Sequence, residues 1–378
     1  MAARAAVATR MPELWALLER WVGIESFTAD HTGCNRMADA LAEAFALPGL
    51  AVRRVAGERA GDHVVVTTHG WSAGGTVLVG HHDTVFPAGS FVGFRRDETK
   101  CYGPGVLDMK GGLAVIRTAL AALADLGLLA ALPVAVISVS DEETGSVYGK
   151  RVIDEVGAGA SAGLVFEAGR VTDAIVTRRK GTGKLVITAT GKPAHAGNDL
   201  AAGINAIEAL ARVIVGVQAL TTADGGTTVN VGLVRGGTSA NTVPGEASCE
   251  IDLRIVRAED GPPLLARIRA LADDAALATR ATFAITGGIR RAPLEHLAGT
   301  AALVARYATV ARAEGLGADE APLMGGGSDA NTLAALGVPA IDGLGPRGRF
   351  FHTPDEYAEL ATFEPRVMAL VRFLLGPA

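Results

Sequence analysis

The stretch TVLVGHHDTV, residues 76–85, runs from an apolar segment directly into two histidines and an aspartate. A short apolar run bounded by glycines favours a strand that is buried on both faces. Further apolar runs at 133–139 and 163–166 predict two more strands, and residues 111–126 have the apolar spacing of a helix. Strands that alternate with helices favour an α/β fold with a mostly parallel sheet and helices on both faces.

Acidic or histidine residues follow each of these apolar runs. His81 and Asp83 follow the first predicted strand, Glu142 and Glu143 follow the second, and Glu167 follows the third. Open α/β sheets bind their ligands at the carboxyl ends of the strands. We therefore expect these side chains to lie close together.

Two further residues extend this set. Asp108 lies in a loop rich in Gly and Pro, and His352 follows an aromatic segment near the end of the chain. Two imidazoles and three carboxylates would bind two borderline cations such as Zn²⁺, with one carboxylate bridging them and an open position for water. The three carboxylates at 141–143 would repel one another in a buried site unless a cation compensated their charge. One glutamate could then be a metal ligand and its neighbour a proton shuttle. The set predicts a hydrolase.

Taken singly, each of these residues has a more ordinary interpretation. Asp108 is also suited to cap the helix that follows it, and His352 to be a hydrogen-bonded core histidine. The Glu142–Glu143 pair and Glu167 are equally typical of exposed acidic loops. The hydrolase hypothesis therefore depends on the whole set.

Composition limits the classes of partner. The 378 residues are 49% apolar, which provides a sizeable core and suggests about two or three domains. The formal net charge of -5 and the dispersed Lys and Arg residues disfavour nucleic acid and anionic membranes as partners. Three separated cysteines, Cys34, Cys101 and Cys249, form no disulfide framework and indicate a reducing compartment. No signal peptide or span of about 20 apolar residues is recognised, so we expect a cytoplasmic protein.

The pattern changes at residues 178–181, Arg-Arg-Lys-Gly. From 184 to 285 the order strand, helix, strand, strand, helix, strand predicts two helices on one face of a four-stranded antiparallel sheet. These elements would form an inserted α+β domain at 180–288. The first domain would then be discontinuous, comprising residues 1–179 and 289–378.

Four ordered motifs carry a resemblance to a known family. They are His-x-Asp-Thr-Val at 81–85, Gly-Pro-Gly-x-x-Asp-x-Lys-Gly-Gly at 103–112, Asp-Glu-Glu-x-Gly-Ser at 141–146 with a later Glu167, and His352 before Pro-Asp-Glu. Over nearly the whole chain this order resembles the dizinc carboxypeptidase and aminoacylase family. That family includes glutamate carboxypeptidases, acetylornithine deacetylase and succinyl-diaminopimelate desuccinylase.

The resemblance implies a zinc exopeptidase fold with a ferredoxin-like dimerisation domain inserted into it. It implies two Zn²⁺ per chain, with Co²⁺ or Mn²⁺ as alternatives. Asp108 would bridge the two metals, His81 and Glu167 would complete one site, and Glu143 and His352 would complete the other.

The resemblance also assigns roles beyond the metal ligands. It implies that Glu142 is the general acid and base, that Asp83 orients His81, and that the Asp108–Met109 peptide bond is cis. His195 would act across a homodimer interface on the reaction's oxyanion.

Four further residues match the family's groups for the free carboxylate of the substrate. They are Asn241, Arg254, Gly325 and Gly326, although Arg254 also fits an exposed strand cation.

The resemblance is nearest to glutamate carboxypeptidases, on the grounds of Glu167 and the Gly-Gly-Gly-Ser-Asp-Ala segment at 325–330. We therefore expect cleavage of an amide bond that releases a C-terminal amino acid with a free carboxylate. The expected substrate is a short peptide or an N-acyl amino acid. An N-acyl-amino-acid deacylase is the alternative. A catalytically silent binding protein is disfavoured, because such a protein would usually lack a ligand or the shuttle glutamate.

Overall fold

The computed structural model describes residues 1–376. Two compact units divide these residues. Unit 1 contains Met1–Arg178, His296–Met324 and the described residues from Ser328 onward. Unit 2 contains Arg179–Glu295 and Gly325–Gly327.

The helices of the described chain are α1 (Ala2–Val22), α2 (His31–Ala44), α3 (Lys110–Asp125), α4 (Gly149–Gly157), α5 (Ala206–Gln218), α6 (Gly261–Thr279), α7 (Thr300–Ala313), α8 (Asp329–Ala335) and α9 (Phe363–Leu375). The strands are β1 (Leu50–Val55), β2 (His63–Thr68), β3 (Thr76–His81), β4 (Arg95–Arg96), β5 (Lys100–Tyr102), β6 (Val134–Val139), β7 (Ala162–Val165), β8 (Gly181–Thr190), β9 (Thr228–Gly236), β10 (Glu246–Ile255), β11 (Thr282–Arg291), β12 (Ala340–Ile341), β13 (Gly348–Arg349) and β14 (Tyr357–Glu359). Among these residues no helix has both the length and the hydrophobicity needed to cross a bilayer.

A six-stranded sheet forms the centre of unit 1, with the strand order β1-β2-β6-β3-β7-β12. The pairs β6 with β3, β3 with β7, and β7 with β12 are parallel. The pairs β1 with β2 and β2 with β6 are antiparallel. The sheet is therefore mixed and mostly parallel, which confirms the predicted fold class.

Burial explains why the central elements are so apolar in sequence. Every residue of β3 and β6 is buried, as is every residue of α3 from Lys110 to Leu123. Helix α3 packs on β3, α4 packs on β6, and α8 packs on β7 and β12. Because parallel strands covered by helices exclude water on both faces, their sequences become continuous apolar runs.

The sheet brings the carboxyl ends of three parallel strands to one edge. His81 is the last residue of β3, Glu142 follows β6 closely, and Glu167 follows β7 closely. The polar residues that end the apolar runs are therefore neighbours in space.

Unit 2 is a four-stranded antiparallel sheet in the order β11-β8-β10-β9, on which α5 and α6 pack. Alternate residues of β8 are buried, and the sheet and the two helices share one hydrophobic core. Strand β11 continues to Arg291 instead of ending at Ile285, because its pairing with β8 continues past Gly288. The unit consequently extends to Glu295.

Unit 1 also contains a small antiparallel sheet in the order β13-β14-β5-β4. No pattern in the sequence predicted this sheet. Strand β5 lies shortly before Asp108 in the chain, and β13 and β14 lie on either side of His352. The sheet therefore connects the segment that carries Asp108 to the segment that carries His352.

Candidate dinuclear metal centre

Three residues, one at the end of β3 and two from loops, form the first group of potential ligands. His81 Nε2 lies 3.2 Å from Asp108 Oδ1 and 3.7 Å from Glu167 Oε2. The potential ligand atoms of this group all lie within 4.8 Å of one another. His81 is almost completely buried, and Glu167 is buried as well.

A second group lies on the other side of Asp108. His352 Nε2 is 3.3 Å from Asp108 Oδ2 and 3.1 Å from Glu143 Oε2. These ligand atoms also lie within 4.8 Å of one another. Asp108 is therefore shared, with one carboxylate oxygen facing each group, which is the geometry of a bridging carboxylate.

Asp83 contacts residues of both groups of potential ligands. Its Oδ1 lies 3.3 Å from His81 Nδ1 and accepts a hydrogen bond from the Glu142 N–H at 3.2 Å. Its Oδ2 accepts from Glu143 N–H at 3.2 Å and from Thr28 Oγ1 at 2.7 Å. The buried carboxylate thus contacts the imidazole of His81 and also fixes the turn that carries both glutamates.

The carboxylates and imidazoles shift one another's proton affinity. Burial would raise the pKa of Asp108, yet hydrogen bonds from His352 and His81 hold it well below its usual range. Hydrogen bonds to Asp108 and Glu143 raise the pKa of His352 to about 10. Burial raises the pKa of Glu167 to about 7, and burial also raises the pKa of Glu143. The raised pKa values of His352, Glu143 and Glu167 favour their protonated forms, and a divalent cation that binds there would have to displace those protons.

The donor set suits divalent cations such as zinc. Imidazole nitrogens and carboxylate oxygens are ordinary zinc ligands, and each group offers three of them around a shared aspartate. Glu143 Oε1 is buried and has no hydrogen-bond partner within residues 1–376. A buried carboxylate oxygen without a partner is costly, and coordination to a cation removes that cost.

Glu356 is a residue of this site that the sequence analysis missed. Its Oε1 accepts hydrogen bonds from the N–H groups of Leu107 at 2.9 Å and Asp108 at 3.0 Å, and its Oε2 accepts from Gly105 N–H at 3.3 Å. The side chain is fully buried, and burial raises its pKa to about 8. The Pro-Asp-Glu sequence that ends in Glu356 belongs to the same motif as His352, so this motif could have indicated Glu356.

The loop that presents Asp108 is fixed on its other side as well. The Asp108–Met109 peptide bond is cis, as the resemblance implied. Lys110 is completely buried, and its Nζ donates to the carbonyl oxygens of Trp21 at 3.0 Å and Ile24 at 2.8 Å. The loop is therefore anchored to the end of α1.

His195 lies in unit 2 and is exposed. Its Nδ1 accepts hydrogen bonds from the N–H groups of Gly197 and Asn198, both at 3.1 Å. A ring that accepts at Nδ1 carries its proton on Nε2. The loop therefore favours the tautomer of His195 that donates a hydrogen bond from Nε2.

The predicted carboxylate-binding residues also lie in unit 2. Arg254 makes hydrogen bonds to both carboxylate oxygens of Asp252, at 2.8 and 3.0 Å, and its Nη1 donates to Gly325 O at 3.4 Å. Arg254 and Gly325 are thus neighbours, and their binding of a substrate carboxylate stays a prediction. Asp252 already occupies the guanidinium, which the sequence analysis did not foresee. Asn241 is exposed and accepts a hydrogen bond from Ser239 Oγ at 2.8 Å.

Comparison with known proteins places the chain in a family. Residues 77–376 match the model of Peptidase family M20/M25/M40. The chain belongs to this family. It is therefore a hydrolase of the M20/M25/M40 family, whose members are metal-dependent and act on small peptide or acyl amino acid substrates.

Relatives of this M20-family chain include two kinds of enzyme. Carboxypeptidase G2 of Pseudomonas sp. (strain RS-16) is 28% identical, over 98% of this chain and 90% of the relative. Succinyl-diaminopimelate desuccinylase of Xanthomonas oryzae pv. oryzae is 30% identical, over 82% of this chain and 85% of the relative.

Solved structures share the M20-family fold. Aminopeptidase PepT from Bacillus cereus superposes with a TM-score of 0.80 at 23% identity, covering 96% of this chain and 98% of that one. The M20 family metallo-carboxypeptidase Sso-CP2 from Sulfolobus solfataricus gives 0.75 at 17% identity, with coverage of 96% and 98%. At these identities the likeness extends to the fold alone.

Proposed function

We propose that the protein is a dizinc exopeptidase of the glutamate carboxypeptidase type. It hydrolyses the amide bond before a C-terminal amino acid and releases that amino acid with its free carboxylate. The observation that carries this proposal is Asp108, whose two carboxylate oxygens each face a complete group of potential ligands. The similarity to carboxypeptidase G2 over nearly the whole chain supports the same reaction class.

The ligands of the two ions follow from the two groups. His81, Asp108 and Glu167 would hold one zinc ion, and Asp108, Glu143 and His352 would hold the other. Bound ions would supply Lewis acidity to the amide carbonyl and to the attacking water.

Glu142 performs the proton transfers in this proposal. It removes the proton of the attacking water and then delivers it to the nitrogen of the leaving amino acid. Its position is supported by the hydrogen bond from its own N–H to Asp83, which fixes the turn beside Glu143. Asp83 is thus a positioning residue for both His81 and Glu142.

We further propose that the enzyme is a homodimer formed through unit 2. Strand β9 lies at an edge of its sheet, and it exposes Leu233 and Val234. An edge strand with exposed apolar side chains is suited to pairing with a second chain. In the dimer, His195 of the partner subunit would donate its Nε2 proton to the oxyanion that forms during attack.

The carboxylate of the leaving amino acid is assigned to residues of unit 2. Arg254 would bind it, with Asp252 holding the guanidinium in place until the substrate arrives. Asn241 and the backbone of Gly325 and Gly326 would supply the remaining hydrogen bonds. Adding a Cβ to either glycine would meet no atom within 4 Å, so their backbone is accessible.

A second function is favoured by a specific observation. The 30% identity to succinyl-diaminopimelate desuccinylase supports an N-acyl-amino-acid deacylase that uses the same metal ions and the same glutamate. The two functions differ in the group on the acyl side of the bond, so a mixed panel of dipeptides and N-acyl amino acids distinguishes them.

The test compares the zinc-loaded wild-type protein with Glu142→Gln on that panel, with products identified by mass spectrometry. Because only the proton shuttle is lost, Glu142→Gln should keep two metal ions per chain while turnover falls by about 10²–10⁴-fold. Glu259→Gln, at an exposed glutamate of unit 2, is the matched control and should keep full activity. Undiminished turnover by Glu142→Gln would refute the assigned role, and no amide hydrolysis by the wild type would refute the proposed function.

A further inference from the structure

A cavity of about 540 Å³ lies in unit 1 beside the small sheet. Its lining combines aromatic rings with basic side chains, namely Phe91, Arg95, Lys100, Tyr102, Phe350 and Tyr357. None of these residues belongs to the groups of potential metal ligands. Sites for small molecules commonly have volumes of about 300–1,000 Å³, so the cavity is large enough for a substrate group.

The strand register places two tyrosine rings and one basic side chain side by side on the small sheet. Tyr102 on β5 is directly opposite Tyr357 on β14, and Arg95 on β4 is opposite Tyr102. Residues opposite each other in a sheet project from the same face. The centroids of the Tyr102 and Tyr357 rings are 6.0 Å apart, and Phe350 meets Tyr357 edge-on at 6.0 Å.

The two cations are held against the rings. The guanidinium carbon of Arg95 lies 3.7 Å from the centroid of Tyr102, and Lys100 Nζ lies 4.0 Å from the centroid of Tyr357. Among the lining residues within 1–376, Asp355 is the only acidic one, against Arg95 and Lys100, so this lining carries a net positive charge. A guanidinium that stacks on a tyrosine can stack on a second planar group with its other face.

The cavity adjoins the candidate metal centre along the chain. Phe350 precedes His352 by two residues, a separation of at most about 7 Å between Cα atoms. The Phe351 and His352 rings meet edge-on at 5.2 Å. Tyr357 directly follows Glu356, which binds the backbone of Asp108. The lining of the cavity therefore shares a short segment of chain with His352 and Glu356.

We propose that this cavity binds the acyl side of the substrate, and that the preferred acyl group is aromatic and carries an acidic substituent. The proposal rests on the proposed amide hydrolysis and names the class of substrate. The aromatic ring packs against Phe350 and the outer face of the Arg95 guanidinium. The acidic substituent is attracted to Arg95 and Lys100, which an uncharged or aliphatic acyl group leaves unused.

Three substrates with one common C-terminal amino acid test the proposal, carrying N-acetyl, N-benzoyl and N-(4-carboxybenzoyl) groups. For the zinc-loaded wild-type protein we expect kcat/KM to rise in that order, with about tenfold between the first and the last. Phe350→Ala and Arg95→Gln should each reduce the ratio of kcat/KM between the carboxybenzoyl and acetyl substrates. Phe350 is 56% exposed, so its truncation leaves the core intact. Leu277→Ala, at an exposed leucine of unit 2, should keep the wild-type ratio.

A binding measurement tests the ligand of the cavity independently of amide hydrolysis. Terephthalamic acid, which is the carboxybenzoyl group as its amide, should bind the zinc-loaded protein in calorimetry and should bind more weakly to Arg95→Gln. Failure to hydrolyse any amide would refute the proposed function but not the cavity's ligand. Hydrolysis without a preference for the carboxybenzoyl group, or equal binding of terephthalamic acid to wild type and Arg95→Gln, would overturn the cavity assignment and leave the proposed function standing.

Discussion

Asp108 is the residue on which the candidate site depends, because it belongs to both groups of ligands. Its position is determined by its neighbours. Glu356 accepts hydrogen bonds from its N–H and from that of Leu107, and Lys110 anchors the same loop to α1. Groups that hold a metal ligand in place are expected to affect metal affinity nearly as much as the ligand does.

The substitution Glu356→Gln tests this support. An amide retains one acceptor oxygen, but its nitrogen cannot accept from the backbone, so part of the three-bond cradle is lost. We expect affinity for Zn²⁺ to fall by about 10–100-fold, measured by competitive titration against a chelating dye. Glu155→Gln on the exposed face of α4 is the control. Equal affinity in both variants would show that the cradle does not position Asp108.

That the five potential ligands lie together could be predicted from the sequence because each follows a segment of clear character, whereas the role of Glu142 stays a prediction. An apolar run ends at His81, Glu142 and Glu167, and the sheet topology places these ends together. The backbone contacts of Glu356 and of Asp83 could not be predicted. Both side chains bind backbone N–H groups from distant loops, and backbone donors leave no trace in the sequence.

Among the secondary-structure elements, α1, α2 and α3 are joined by one buried cation. Arg117 on α3 donates to Ala44 O at the end of α2 at 3.0 Å and to Glu13 on α1 at 2.6 Å. Glu13 also pairs with Arg10 at 2.7 Å. The hydrogen bond from Arg117 is the largest cause that lowers the pKa of Glu13.

A lowered pKa makes the contribution of Glu13 depend on pH. The folded protein binds a proton at Glu13 less readily than the unfolded chain, whose value is near 4.5. The stabilisation is therefore complete above that value and is lost as the pH falls through the lower folded pKa. We expect Glu13→Gln to reduce the free energy of unfolding by about 1 kcal/mol at pH 7, since the pair is partly solvent-screened.

Urea denaturation at pH 7 and at pH 3 measures this difference. The gap between Glu13→Gln and wild type should shrink at pH 3, whereas the exposed Glu19→Gln should match wild type at both values. A gap of the same size at both pH values would mean that the charge of Glu13 is not responsible.

The sequence patterns predicted β3 and β6 but missed the shorter strands β13 and β14, for a physical reason. Strands β3 and β6 are fully buried and therefore apolar throughout, which makes them recognisable. Strands β13 and β14 have two and three residues, too few to show a period, and β14 pairs with β5 from a remote part of the chain. The cavity lined by Arg95, Tyr102 and Tyr357 is built on this small sheet, so the sequence patterns do not predict it.

At the scale of the whole molecule, unit 2 interrupts unit 1 and carries the residues assigned to the dimer. The proposed dimer makes each active site depend on two chains. Glu142 would act in its own chain, whereas His195 would act in the site of the partner subunit. Defects in the two residues should therefore complement each other.

Mixing Glu142→Gln and His195→Ala chains tests this dependence. Each pure variant should have little activity, because every site lacks one of the two groups. In a mixed dimer, the His195→Ala chain keeps Glu142 and receives an intact His195, so one working site returns. Amide hydrolysis after unfolding and co-refolding measures the recovery.

Leu233→Glu introduced into both chains provides the control for that experiment. It places a charge on the exposed edge of β9 and should prevent both association and recovery. Absence of recovery in mixtures whose dimerisation has been verified by light scattering would exclude a histidine acting across the interface.

The interruption of unit 1 also orders events during biosynthesis. His81, Asp108 and Glu167 emerge from the ribosome before any of unit 2, whereas His352 emerges after all of it. A nascent chain therefore carries the first group of ligands long before the second is complete. A premature stop codon within unit 2 would release a polypeptide without His352 and Glu356, so the second group of ligands could not form and the loop of Asp108 would lose three backbone hydrogen bonds.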